Sequence, residues 1–164
     1  MVDQWQVNGT PETLTSPSSP LEITDLSDKK FNEVLSGNFP STDAFQDFTF
    51  NSSTASVYAT RKSINGATPD ITTTNAALVD LRFNATDSYL QVINSCWISG
   101  QEKLAISHMV SSGVAGAGNA PDRGEYVFKY VPADLTNDII AVKLDKGTKT
   151  NYDTDSNISA FGTD

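Results

Sequence analysis

The sequence predicts an all-β fold: one single-domain antiparallel β-sandwich, jelly-roll-like in plan. Short runs of alternating apolar and polar residues recur along the chain, as half-buried strands require. Clusters of Asn, Gly, Pro, Ser and Thr separate these runs at hairpin-like spacing. No stretch sustains the period of a long amphipathic helix. With 164 residues the chain is long enough for one sizeable core and short for two, so residues 1–164 read as one domain. Residues 8–20 and 145–164 read as extended polar segments that could reach across to neighbouring molecules.

Each element has its own warrant. Asp3 to Val7 alternates around Trp5 and predicts a short strand. Asn8-Gly9 is a turn signal, and Pro11, Pro17 and Pro20 suit an extended edge rather than a central strand. Leu21 to Thr24 is a short strand. Ser27 to Leu35 admits two readings: a helix N-capped by Ser27 with Phe31, Val34 and Leu35 on one face, or a strand over Lys29 to Leu35. Strands on both sides favour the second. Ala44 to Phe50 and Val57 to Ser63 predict two strands paired as a hairpin, and Ile64-Asn65-Gly66 begins the next turn. A polar, threonine-rich connection, Ala67 to Asn75, leads to Ala77 to Phe83, whose dry and wet positions alternate. After the small-residue loop Ser111 to Gly124, Glu125 to Val131 puts Tyr126, Phe128 and Tyr130 on one aromatic face. Ile139 to Leu144 and Asn157 to Phe161 are the last strands.

The stretch Tyr89 to Val110 organises the rest. It reads as two apolar strands joined at Gly100. Leu90, Val92, Cys96 and Ile98 share a face on the first strand; Leu104, Ile106, His108 and Val110 share one on the second. A slip of one residue would turn a whole face over. A three-residue Gly100-Gln101-Glu102 loop joins the apolar faces by pairing Ile98 with Leu104, Cys96 with Ile106 and Val92 with Val110. It sets Asn94 opposite His108, where their polar atoms could satisfy each other. This face is expected to pack, with Cys96 and a half-buried His108 inside it.

Composition excludes several classes. The net charge of −9 repels phosphate backbones, which argues against nucleic-acid binding. One cysteine, Cys96, forms no intramolecular disulfide. The N-terminus MVDQWQVNGT lacks the basic and apolar regions of a signal peptide, and no apolar run approaches the roughly 18 residues of a membrane span. Synthesis in a cytoplasm is the expectation, with no membrane partner. Sequons at Asn8, Asn51, Asn84 and Asn157 are compositional in a chain so rich in Asn, Ser and Thr.

The catalytic inventory is thin. His108 is the only histidine, lies mid-strand, and has no G-x-S-x-G turn to serve. Cys96 sits mid-strand beside Trp97, a packing position rather than a nucleophile's setting. Gly113, Gly116 and Gly118 precede a strand, not a helix, and lack the Lys-Ser/Thr of a phosphate loop. Glu22, Glu33, Glu102 and Glu125 offer no obvious glycosidase pair. One metal candidate stands out: Asp153, Asp155 and Asn157 follow a D-x-D-x-N spacing that can set oxygens around calcium, although the glycine and distal glutamate of an EF-hand loop are absent. No other cofactor is expected. Trp5, Trp97, Tyr58, Tyr126 and Tyr130 are candidates for stacking on sugar rings.

Three stretches taken together carry a resemblance: Phe48 to Gly66 (FTFNSSTASVYATRKSING), Ile98 to His108 (ISGQEKLAISH) and Gly116 to Tyr130 (GAGNAPDRGEYVFKY). Their order and spacing resemble a group of uncharacterised β-rich proteins encoded by tailed phages and other, often marine, viruses, among virion structural genes. The resemblance implies a virion component, a capsid decoration or tail-surface protein, and carries no functional residues with it. The expectation is a non-enzymatic virion structural protein, self-associating, with a trimer as the first guess. Its partners would be itself and capsid or tail proteins. The alternative is a carbohydrate-binding module or lectin-like adhesin that takes host-surface glycans.

Overall fold

The computed structural model describes residues 4–40, 44–75, 81–83, 87–113, 116–145 and 151–164, with no helix among them. The strands are β1 (Gln6–Val7), β2 (Glu12–Thr13), β3 (Leu21–Ile23), β4 (Phe31–Asn38), β5 (Ala44–Phe50), β6 (Tyr58–Ile64) and β7 (Asp70–Asn75). They continue with β8 (Leu81–Phe83), β9 (Tyr89–Cys96), β10 (Lys103–Ser111), β11 (Asp122–Tyr130), β12 (Val142–Asp145) and β13 (Asn157–Thr163). The large sheet runs β1-β13-β4-β9-β10-β11-β6-β7, with β2 also on β13; the small sheet runs β3-β12-β5-β8. Neighbouring strands pair antiparallel throughout. The two sheets pack face to face, so the fold is an antiparallel β-sandwich. The jelly-roll plan is a finer expectation than this strand order establishes.

The segment after Ser27 is a strand, β4, and it lies beside β9 in the large sheet. The hairpin expected between β5 and β6 does not form: β5 pairs with β12 and β8, whereas β6 pairs with β11 and β7. The intervening loop crosses between sheets instead. Asn51 and Ser52 take left-handed backbone angles at the start of that crossing. Tyr58 then anchors its far end, its hydroxyl 3.1 Å from Phe50 N and 3.2 Å from Phe50 O. The Asn65-Gly66 turn is present with positive φ at both residues, and the threonine-rich run after it is the edge strand β7 rather than a connection. Of the strand expected over Ala77 to Phe83, residues 77–80 lie outside the described residues and 81–83 form β8.

The chain ends are built into the sandwich. β13 lies between β1 and β4, with Ile158 and Ala160 buried, and β1 and β2 pair along its outer edge. Asn8 is buried: its Oδ1 accepts from Ser27 N and Ser27 Oγ, and its Nδ2 donates to Asn32 Oδ1 at 2.7 Å. Tyr152 is fully buried and bridges to both Ser18 and Pro40. Residues 8–20 and 151–164 thus contribute strands and buried side chains to the sandwich.

The core lies between the sheets. Phe50 meets Trp97 edge-on at 5.7 Å and Tyr130 at 5.6 Å, and Phe48 meets Phe128 at 6.2 Å. One part of the interlayer is polar: Gln46 of β5 donates to Gln91 of β9, which donates to Ser107 of β10, each at 3.1 Å. Such a chain satisfies its buried amides at both sheets.

Candidate functional site

The aromatic bulk of β5, β6 and β11 decides which face of the β9–β10 hairpin turns inward. Between such rings, β10 can place only Lys103, Ala105, Ser107, Met109 and Ser111, mostly short or slender side chains. Close packing therefore sends the more apolar set outward. This corrects the expectation that the Leu90–Val110 face packs in the core: Leu104 is 56% exposed, Leu90 51% and Ile106 46%. Cys96 is half-buried on this outer face, and His108 is exposed rather than half-buried.

The register moves with it by two residues, which preserves the shared face. Cys96 pairs with Leu104, Asn94 with Ile106, Val92 with His108 and Leu90 with Val110. Asn94 thus lies between Ile106 and Glu33, not opposite His108, whose neighbours are Val92 and Glu125. The cause is the hairpin tip. Gly100 N–H donates to Leu135 O at 3.0 Å, and the buried Lys103 ammonium donates to Ile98 O at 2.7 Å and Leu135 O at 2.8 Å. The tip is moored to the connection after β11, which a tight local loop would not permit.

Across the strands the outer face is continuous. The row through Ile106 reads Val7, Phe161, Glu33, Asn94, Ile106, Val127, Arg61 and Ile71 from β1 to β7. The neighbouring row reads Phe31, Cys96, Leu104, Lys129 and Ala59 from β4 to β6. From Phe31 to Ile71 these rows, Glu33 apart, line a shallow hollow of about 660 Å³, open to solvent and almost wholly apolar. The charges around it are few. Lys129 is paired with Glu102 at 2.9 Å and Arg123 lies 3.8 Å from Glu125, whereas Glu33 and Arg61 make no ion pair among the described residues.

The groups with displaced titration lie elsewhere. Hydrogen bonds from Thr10 hold the Asp25 carboxyl low, those from Thr136 do the same at Asp134, and the Lys29 ammonium does so at Asp164. Burial pushes the Tyr58, Tyr130 and Tyr152 hydroxyls up.

The other candidates are dispersed. Asp153, Asp155 and Asn157 form a tight turn into β13, in which Asp153 Oδ1 accepts from Thr154 N, Asp155 takes a left-handed φ of 69°, and Asn157 Nδ2 donates to Asp155 O. Among the described residues no group of three or more His, Cys, Asp and Glu side chains could hold a metal ion. Glu22, on the small sheet, accepts from Ser52 Oγ, apart from Glu33 and Glu125 on the large sheet and Glu102 in the loop before β10. Of the five aromatic candidates for sugar stacking, Trp97, Tyr58, Tyr126 and Tyr130 are buried and Trp5 is exposed. The sequence reading missed Phe31, Ile71 and Val127 as members of one exposed surface. The available signal was the small-residue alternation of Ala105, Ser107 and Ser111, which marks that side of β10 as the crowded one.

No family model matches the chain, and no curated protein matches it. Among solved structures it is similar to a protein of unknown function from Shewanella oneidensis MR-1, at 10% identity over 98% of this chain and 78% of that one, with a TM-score of 0.24.

Proposed function

We propose that this chain is a non-enzymatic structural protein whose role is assembly. It associates with copies of itself and, as the resemblance over residues 48–66, 98–108 and 116–130 implies, takes a place on a capsid or tail surface. One observation carries the reading: a folded sandwich turns the more apolar side of its central hairpin to solvent. Scattered exposed apolar residues are ordinary, but a contiguous field of them marks an interaction surface. Taking each large side chain at about 150–200 Å², the exposed part of this field is on the order of 600 Å², at the top of the range for the largest patch on a monomer.

The test has two arms. Sedimentation velocity of the purified chain should show species heavier than 17.6 kDa at micromolar concentration. Mass spectrometry of purified particles from the encoding virus should find the chain in many copies. A monomer at every concentration removes self-association, and absence from particles removes the virion placement.

A further inference from the structure

We infer that the outer face of the large sheet is covered by a second copy of this chain, the two copies related by a half-turn about an axis along β10. The inference rests on the self-association just proposed and goes further by fixing the partner surface and its geometry.

The twist of the sheet permits this pairing. A twisted sheet rises in proportion to the displacement along the strands multiplied by the displacement across them. A half-turn about its middle strand reverses the height and the crosswise displacement together, so the surface maps onto itself. β10 is the middle strand of the apolar field, with β9 and β4 on one side and β11 and β6 on the other. β4 and β6 each lie two strand spacings away, about 10 Å.

In the rows through Ile106 and Leu104, the positions on β10, β4 and β6 then match in pairs. Ile106 lies on the axis and meets the partner's Ile106. Phe31, in the neighbouring row of β4, projects over the partner's Ala59, a large residue against a small one. Glu33 and Arg61 share a row at equal distances on opposite sides of β10, so each carboxylate meets the partner's guanidinium, twice per pair. These two charges make no ion pair within the described residues, whereas Lys129 and Glu125 of the same face already have intrachain partners. Area agrees: an apolar field of about 600 Å² with its charged rim approaches the roughly 800 Å² per partner of a standard stable interface.

The experiment measures the mass and dissociation constant of the full chain by sedimentation equilibrium, with circular dichroism as a fold control. Wild type should give twice 17.6 kDa. Ile106→Asp should abolish the pair. Glu33→Arg and Arg61→Glu should each weaken it by on the order of tenfold or more, and the double charge exchange should restore it to within about threefold. A double exchange no better than the single variants, or a wild-type mass of three chains, overturns the half-turn geometry while leaving self-association standing. A pair unaffected by Ile106→Asp overturns this face as the interface. A wild-type monomer overturns both, as does a monomer found by native mass spectrometry to carry a co-purified lipid in the hollow.

Discussion

Replacing Lys103 by Met tests how the tip of the β9–β10 hairpin is held. Lys103 is 2% exposed, and its ammonium donates to Ile98 O at 2.7 Å and to Leu135 O at 2.8 Å. Methionine keeps most of the stem and removes the charge and both donors. Neither carbonyl is orphaned, because Gln101 N–H donates to Ile98 O at 3.1 Å and Gly100 N–H to Leu135 O at 3.0 Å. The full penalty for a buried acceptor without a partner therefore does not apply. What is lost is two charge-assisted bonds of about 1.5–3 kcal/mol each, offset in part by the desolvation a buried ammonium no longer suffers. The expected net destabilisation is about 1–3 kcal/mol, a fall of roughly 3–10 °C in Tm for a chain of this size. Lys103→Ala also removes the packed stem and should cost about 1–2 kcal/mol more. Urea unfolding followed by tryptophan fluorescence reads the stability, and amide exchange at Gly100 reads the mooring itself. A Lys103→Met protein at least as stable as wild type, with unchanged exchange at Gly100, refutes the argument.

The remaining predictions concern the core and the chain ends. Phe50→Ala empties the position where Phe48, Trp97, Phe128 and Tyr130 converge and should cost about 3–5 kcal/mol by urea titration. Asn8→Ala deletes a buried amide holding Ser27 and Asn32 and should cost about 1–3 kcal/mol; no loss would refute the anchoring role given to that amide. Burial raises the Tyr58 and Tyr152 hydroxyls above their unfolded value, so their neutral forms are favoured in the folded state. That contribution is complete below about pH 10 and is lost as pH climbs above it. Tyrosinate absorbance at 295 nm should therefore rise together with unfolding in an alkaline titration, and early tyrosinate appearance in a still-folded chain would contradict the burial.

Much of the fold was legible because strand periodicity is a local signal. β4, β6, β9, β10, β11 and β13 coincide with alternating runs, and the Asn65-Gly66 turn is written in its residue types. What was not legible is which sheet a strand joins. β5 and β6 look like hairpin partners, yet the loop between them crosses the sandwich because Tyr58 and Phe50 meet across the core. The orientation of the central hairpin was hidden for a related reason. Hydrophobicity alone favours burying Leu104 and Ile106, but the inward side of β10 lies beside Tyr126, Phe128 and Tyr130 of β11, and Phe128 already packs on Phe48 and Phe50, so small residues fit there and the constraint is set by residues far away in sequence. The register followed the same logic: parity was readable from the apolar alternation, whereas the two-residue offset depends on Leu135.

An exposed apolar field in a chain of charge −9 need not lead to indiscriminate aggregation, and the placement of the charges shows why. The outward positions of β4, β9, β10, β11 and β6 carry Glu33 and Glu125 against Arg61, Arg123 and Lys129. Two carboxylates against three cations leave this face close to neutral, so the acidic excess of the whole chain, 20 against 11, lies elsewhere. Two copies approaching in an arbitrary orientation meet like charge within the ~8 Å screening length of physiological salt. Two copies approaching outer face to outer face meet almost none, and there the apolar area is available. In the proposed pairing, net charge opposes other encounters and spares the one in which burial is rewarded, so one distribution of residues would serve both solubility and selective self-association.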